Sequence, residues 1–267
     1  MKGPGPRRRL AGLRWRLVHW AWRAAQRSGA VTADTPAGRR FAAFGRGSTA
    51  AFPPGAVFGE RWIAIGAGTV IGPLVTLSAG MVPGQDLGPL PVLRIGDRCV
   101  IGRGSHIVAH YSLEIGDDVF TGPYVYVTDQ NHGYADPDVP VGRQPPRNAA
   151  VRIGSGSWLG AGAVVLPGTC IGRNAVIAAG SVVRGTVPDR CVAAGVPARV
   201  VRRYSPGGGW SPPLAAAAAD GGPGGLGGAG GLGGAGGLGG AGGSGGAGGS
   251  GGAEGVEGVP QPSDPAV

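Results

Sequence analysis

Ile95-Gly96-Asp97-Arg98-Cys99-Val100, then Ile101-Gly102-Arg103-Gly104-Ser105-His106, then Ile107: an aliphatic residue returns at every sixth position and is usually followed by glycine. The period runs on to Ile115-Gly116 and resumes at Ile153-Gly154, Leu159-Gly160, Val165, Ile171-Gly172, Ile177 and Val183. A repeat this sustained decides the fold ahead of local propensity. The fifth place of each hexad is small or β-branched, as at Cys99, Ser105, Val119, Val125, Ser157, Ala163, Thr169, Ala175 and Ser181. That place and the next aliphatic are two residues apart, so they point the same way along a short strand, and the residue between them faces outward. A six-residue unit cannot bury its apolar edge alone, so successive units must stack into a parallel β-helix with the aliphatic column inside. Helical spacing is missing, and so are βαβ units.

The run Ile-Gly-x-x-Ser/Ala-x, found over residues 57–203, resembles the hexapeptide-repeat acyltransferases, and within them the maltose and galactoside O-acetyltransferase group. The resemblance implies an all-β fold: a left-handed parallel β-helix with three hexads per turn, working as a homotrimer with active sites in the clefts between subunits. The left hand comes from the family and not from the spacing, since parallel crossovers are ordinarily right-handed.

Of 267 residues 58 are glycine, many in one C-terminal stretch. The net charge is +9, but residues 1–40 hold ten Lys/Arg and one acid, so the remainder, with fourteen of each sign, is neutral. The positive charge belongs to the N-terminal segment, and a basic prism built for nucleic acid is not expected. Cys99, Cys170 and Cys191 are widely spaced and odd in number, which reads as packed thiols rather than a disulfide or metal framework.

Residues 8–28 read as a helix that Gly29 stops, with Arg9, Arg16, Arg23 and Arg27 in one stripe. Leu10, Leu13, Leu17, Trp20, Ala21 and Ala24 form a broader apolar face, extended by Trp15, Val18 and Trp22. This pattern suits a helix lying in a membrane interface, and equally one packed across the end or side of the β-helix. Arginines interrupt every apolar run, so neither a cleaved signal peptide nor a membrane span is expected. The expected location is cytoplasmic, with the helix as a peripheral contact to the inner face of the membrane.

The domain reading is a basic helix (1–30), an irregular lead-in (31–56), the β-helix (57–204) and a Gly-Gly-x tail (205–267) expected to be a disordered tether. Residues 83–94 preserve the count of six with Pro83 and Pro89 in aliphatic places, and read as a bulged turn or loop at the correct height. A slip of two near His110-Tyr111 indicates a small bend. Residues 133–150, proline-rich and without the repeat, read as an excursion from a rigid scaffold, where function tends to sit.

A narrow prism filled with aliphatics has no internal pocket, so sites must form outside it. Of the four histidines, His19 lies in the helix and reads as solvated. His132 occupies an outward place just before the excursion. The stretch 122–133 (GPYVYVTDQNHG) resembles the family segment ending in the general-base histidine, and imidazole suits that role because it titrates near neutral pH. Asp129 is expected to orient the ring or the acceptor; Asn131, at an inward place, either does the same or caps the turn. A rival set, His106, His110 and His132, resembles the metal ligands of β-helical carbonic anhydrases, in which three histidines from two subunits hold the ion; the first and last are expected on neighbouring faces of the prism.

Segments 158–168, 178–183 and 193–202 resemble the family's coenzyme A-binding rungs. Carried over by position, Gly160 and Ala161 meet the thioester through the backbone, Ala179 lines the pantetheine groove, and Arg199 and Arg202 meet the nucleotide phosphates. Arg184-Gly185 stands where the family often has Thr-Lys.

The expected function is acetyl transfer from acetyl-CoA to a hydroxyl of a saccharide or other small acceptor, with His132 as base and no metal. N-acetylation of an amino sugar, a histidine-metal hydratase and a non-catalytic scaffold are the alternatives.

Overall fold

The computed structural model describes residues 6–82 and 85–213, with side chains from residue 12 onward. Residues 214–267, which hold the Gly-Gly-x triplets, lie outside the described residues, and so does the expectation of a tether there.

The hexads wind into three sheets of seven, ten and six strands that form the faces of a prism. In the order the chain visits them, face 1 includes Ile63–Ile65, Leu93–Ile95, Leu113–Ile115, Val151–Ile153 and Cys170–Ile171. Face 2 includes Val70–Ile71, Val100–Ile101, Phe120–Thr121, Trp158–Leu159 and Val176–Ile177. Face 3 stacks Val57–Phe58, Thr76–Ala79, His106–Ala109, Tyr126–Thr128, Val164–Val165 and Val182–Val183. Pairing between coils is parallel and in register, as for Ile65 with Ile95 and Ile107 with Val127.

All nine fifth-place residues named above are buried, together with the aliphatic column they precede. Each buried Ile, Leu or Val contributes roughly 1.5–3 kcal/mol of transfer free energy, so the column is the main source of stability. Thr121 stands in that column and is tolerated because its Oγ1 accepts the Gly102 N–H at 2.8 Å. Ser157 likewise donates to Gly172 O at 2.8 Å and accepts the Ala175 N–H at 3.1 Å, so buried polar places are satisfied between coils. Cys99 is buried beside Gly116 O, and burial pushes its thiol pKa up, in keeping with a packed thiol.

The coil begins earlier than expected. Ala43–Phe44 and Thr49–Ala50 already pair in parallel with the following turn, so the segment read as an irregular lead-in carries a first coil. It also ends later, because Gly209–Ser211 pairs with Arg203–Ser205 and Trp210 meets Tyr204 edge-on at 5.5 Å. The reading of a tail from residue 205 is corrected accordingly.

Every excursion leaves from the corner between faces 3 and 1. The chain departs at Gly80 and re-enters at Leu93, bends at His110-Tyr111-Ser112, and departs again after Thr128 to return at Val151. The bend is where the slip of two put it. Of the bulged turn or loop expected at 83–94, the structure has the loop: Leu77 lies on face 3 and Ile95 on face 1, and the described residues 85–92 run outside the stack. Trp62 Nε1 holds that loop by donating to Gly88 O at 2.8 Å.

The N-terminal helix, α1, spans Pro6–Gly29. Its Leu13, Trp15, Leu17, Val18, Trp20 and Trp22 are all exposed. Among its described side chains, contact with the rest of the chain is at the C-terminal end, where Trp22 lies 6.4 Å from Phe52 and a Cβ on Gly29 would come within 2.5 Å of that ring. Packing across the side of the prism is therefore not what these side chains do. No helix among the described residues is long and apolar enough to cross a membrane.

Candidate active site

His132 stands where the long excursion leaves face 3. Gln130–Asn131 pairs antiparallel with Arg147–Asn148, and Gln130 Nε2 donates to Asn148 Oδ1 at 2.8 Å. Ala149 N–H donates to Asp129 O at 2.8 Å, and Gly133 is buried so tightly that a Cβ there would lie 2.5 Å from Pro145 O. These contacts pin the base of the excursion. His132 is exposed at its mouth and lines a cleft of about 300 Å³ with Phe58, Ser78, Met81, Val108, Tyr126, Thr128 and, from the neighbouring coil, His110.

Two expectations change here. Asn131 is exposed and not inward, because the antiparallel pairing takes it off the hexad phase. Asp129 does not face His132. It is fully buried, with Oδ1 accepting the His110 N–H at 2.8 Å and Oδ2 accepting those of Tyr111 at 2.9 Å and Ser112 at 2.8 Å. Its carboxylate thus caps the backbone of the small bend. Burial alone would push its pKa up, but the His110 ring beside it and the hydrogen bonds from these three amides outweigh burial and hold it below the usual range. His110 Nδ1 lies 3.5 Å from Oδ1, and the ring is 13% exposed. The sequence signal for this pair was the slip of two, which marked a bend that something had to cap.

The second half of the site is the corner between faces 2 and 3. Ala161 and Ala179 occupy the third hexad place in successive coils, both exposed, with Gly180 N–H donating to Ala161 O at 2.9 Å. Gly160 is buried, and a Cβ on it would lie 2.4 Å from Ala179 N, so only glycine fits. Among the described residues, no acceptor takes the N–H of Ala161 or Ala179. The corner is a smooth column of small residues with outward amides.

The arginines divide. Arg199 pairs in register with Ala194 close to this corner, and Arg202 pairs with Val192 further along face 2. Arg184 follows Val182–Val183 and lies at the corner between faces 3 and 1, so the structure does not bring it to the Ala161 column.

The rival metal set does not converge within one copy. His106 pairs with Tyr126 and Thr76 on the outward row of face 3, which is His132's own side of the prism and not a neighbouring one, yet it does not line the cleft. Among the described residues, no three His, Cys, Asp or Glu side chains are placed to hold a metal ion. A larger trough of about 610 Å³ runs along face 1, lined by Arg94, Glu114 and Arg152. It is the open surface of a sheet, its Arg152 and Glu114 paired at 3.0 Å, and it holds no histidine and no column of outward amides.

Residues 150–185 match the bacterial transferase hexapeptide (six repeats) family, and residues 92–128 match the hexapeptide repeat of succinyl-transferase. A probable acetyltransferase of Mycobacterium tuberculosis is 39% identical over 132 residues, 48% of this chain and 44% of that protein. A putative lipopolysaccharide biosynthesis O-acetyl transferase of Escherichia coli is 37% identical over 43% of this chain and 62% of its own length. The galactoside O-acetyltransferase of Escherichia coli is 39% identical over 41% of this chain and 56% of its own length. The chain thus spans about half the length of these curated relatives. Among solved structures, the N-acyltransferase AntD from Bacillus cereus, in complex with dTDP and coenzyme A, has a TM-score of 0.52 at 16% identity, covering 63% of this chain and 89% of that one. At that identity the likeness shows the fold alone.

Proposed function

Because the chain is a hexapeptide-repeat protein with the repeats of bacterial transferases, we propose that it moves an acetyl group from acetyl-CoA to a hydroxyl of a saccharide or other small acceptor. The observation that carries this reading is the pairing of a histidine-lined cleft with a column of unpartnered amides on the two edges of one face. His132 takes the acceptor's hydroxyl proton, the alkoxide oxygen forms the new ester bond to the thioester carbonyl, and the sulfur leaves with the proton that His132 returns. An outward N–H of the Ala161 column meets the negative charge that builds on the carbonyl oxygen. Arg199 and Arg202 are in reach of the nucleotide phosphates at the far end of the column.

The two halves also bear on assembly. Within one copy they are separated by the width of face 3, about four residues or roughly 13 Å at 3.3 Å per residue. A neighbouring copy that brings its amide column to the His132 cleft closes this gap, which supports a homotrimer with sites between subunits. An outward apolar row on face 2, in which Val100, Phe120 and Trp158 pair in register and Phe120 and Trp158 are each 49% exposed, gives such a copy a surface to cover.

The location we propose is the cytoplasmic face of a membrane, with α1 as the contact. It carries seven arginines and no acid, so copies of it repel one another while anionic lipid headgroups attract it, and its exposed tryptophans suit an interface.

The test is thiol release from acetyl-CoA across saccharide, glycolipid and amine acceptors, with light scattering and sedimentation with anionic liposomes on the same protein. No release with any acceptor overturns the enzyme reading, a monomer overturns the shared site, and indifference to liposomes overturns the membrane role of α1.

A further inference from the structure

We infer that His110 is a second recognition group of the His132 cleft, accepting a hydrogen bond from a second hydroxyl of the acceptor, so that the cleft selects polyols over lone alcohols. This rests on the acyl-transfer reading above and names the class of acceptor.

Among the described residues one side-chain polar atom is buried without a hydrogen-bond partner, His110 Nδ1. The group nearest to complementing it is Asp129 Oδ1 at 3.5 Å. Asp129 is fully buried and fixed by three backbone amides, so it cannot turn away. A carboxylate accepts and never donates, so it selects the tautomer with the proton on Nδ1. Nε2 is then the nitrogen left with a lone pair, on a residue that lines the cleft.

The cleft therefore holds two imidazoles with different surroundings. His132 is exposed at the mouth, free to take and return a proton. His110 is 13% exposed and backed by a carboxylate, which suits a fixed hydrogen-bond acceptor. One reacting hydroxyl engages one of them. An acceptor that fills the cleft also expels the water beside His110, and Nε2 then goes unpaired unless a second hydroxyl reaches it. A site built to bond a hydroxyl rejects the analogue lacking it, because its own polar group is stranded. Thr128, Gln130 and Asn131 in the same lining are further partners for a polyhydroxylated molecule.

The experiment measures kcat/KM with acetyl-CoA for a panel of methyl hexopyranosides and for the monodeoxy derivatives of the best member, using wild type, His110→Phe and His110→Gln of unchanged melting temperature. For wild type, one deoxy sugar other than that lacking the acetylated hydroxyl should lose about ten- to a hundredfold. His110→Phe should lose the same factor on the parent sugar and nothing further on that derivative, while His110→Gln, which keeps an acceptor, recovers part of the loss. Nitrogen-15 spectra of wild type should show the His110 proton on Nδ1. A proton on Nε2, or a uniform loss across every sugar in His110→Phe, overturns the inference while leaving acyl transfer standing. If wild type acetylates no member of the panel, saccharide acyl transfer falls and this inference falls with it.

Discussion

At the corner between faces 1 and 2, the amide of one coil is taken by a side chain of the next: Ala67 N–H donates to Asp97 Oδ1 at 2.7 Å, Asp97 N–H to Asp117 Oδ1 at 2.9 Å, and Asp117 N–H to Ser155 Oγ at 3.0 Å. Lower down, Arg173 N–H donates to Asp189 Oδ1 at 2.8 Å. Arg98 and Asp118 add a two-pronged ion pair there, which holds the Asp118 carboxyl below its usual range. At the corner between faces 2 and 3 the same hexad place holds Ala161 and Ala179, and their amides meet nothing. The backbone at both corners follows one plan, and the third-place side chain alone decides whether the corner closes on itself or stays open to a ligand. The closed corner serves stability and, in the proposed function, the open one serves binding, which is a division that mutation can break.

The largest effect is expected at the cleft that the open corner serves. His132→Ala should lower kcat by about 10²–10⁴ with little change in acetyl-CoA affinity, since a positioned base contributes that much. Steady-state kinetics with the best acceptor decide it. Undiminished transfer by a folded variant would leave the open corner without a base to serve.

Next comes Asp129, the one place where capping and the cleft meet. Asp129→Ala strands three amides in the bend, each costing about 1–3 kcal/mol when buried and unpaired, so a loss near 3 kcal/mol in denaturant melts is expected. The carboxyl is held low in the folded protein, so its stabilisation is present above the unfolded value of about 3.9 and is lost as pH falls through the folded value. Wild type should therefore approach the variant's stability only below about pH 4. A difference between the two that stays constant from pH 6 down to pH 2 would show that the charge is not what caps the bend.

These residues also mark how far the sequence could be read. The core column was legible in full, because places five and one are two apart and must share a face, and this holds wherever the hexad holds. The places of His132 and of the Ala161 column in the coil were legible, since they sit on or beside regular rungs, while their roles rest on the resemblance. What failed was anything crossing the corner between faces 3 and 1. A loop of twelve residues equals two hexads, so counting sixes could not tell the 81–92 loop from coil. Asn131 lost its phase to an antiparallel pairing that only the fold creates. Asp129 was assigned to the histidine three residues on, whereas its partners are seventeen to nineteen residues back, in the coil before. Arg184 matched a motif by position but fell on another corner.

A smaller effect is expected from closing the open corner. Ala179→Ser places a hydroxyl where Ser155 has one, and Ser155 takes the Asp117 amide without bringing charge. The new Oγ should take the Ala161 N–H, leave the melting temperature level or slightly raised, and raise KM for acetyl-CoA roughly tenfold, the worth of one hydrogen bond withdrawn from the ligand. An unchanged KM would mean that this amide does not meet the donor.

The smallest effect comes from opening the closed corner. Asp97→Ala removes the acceptor of Ala67 N–H and the carboxylate that lies 3.8 Å from the Arg98 guanidinium, while leaving residue 97's own amide on Asp117. Ala67 is exposed, so water replaces most of what is lost, and the net cost of such a bond is about 0.5–1.5 kcal/mol. For a fold of this size that is roughly 2–4 °C in melting temperature. Kinetics should not move, because face 1 carries neither the cleft nor the amide column. If Asp97→Ala instead lowers acetyl-CoA affinity as much as Ala179→Ser does, the donor lies along the capped corner, and the division of labour drawn from the third hexad place is reversed.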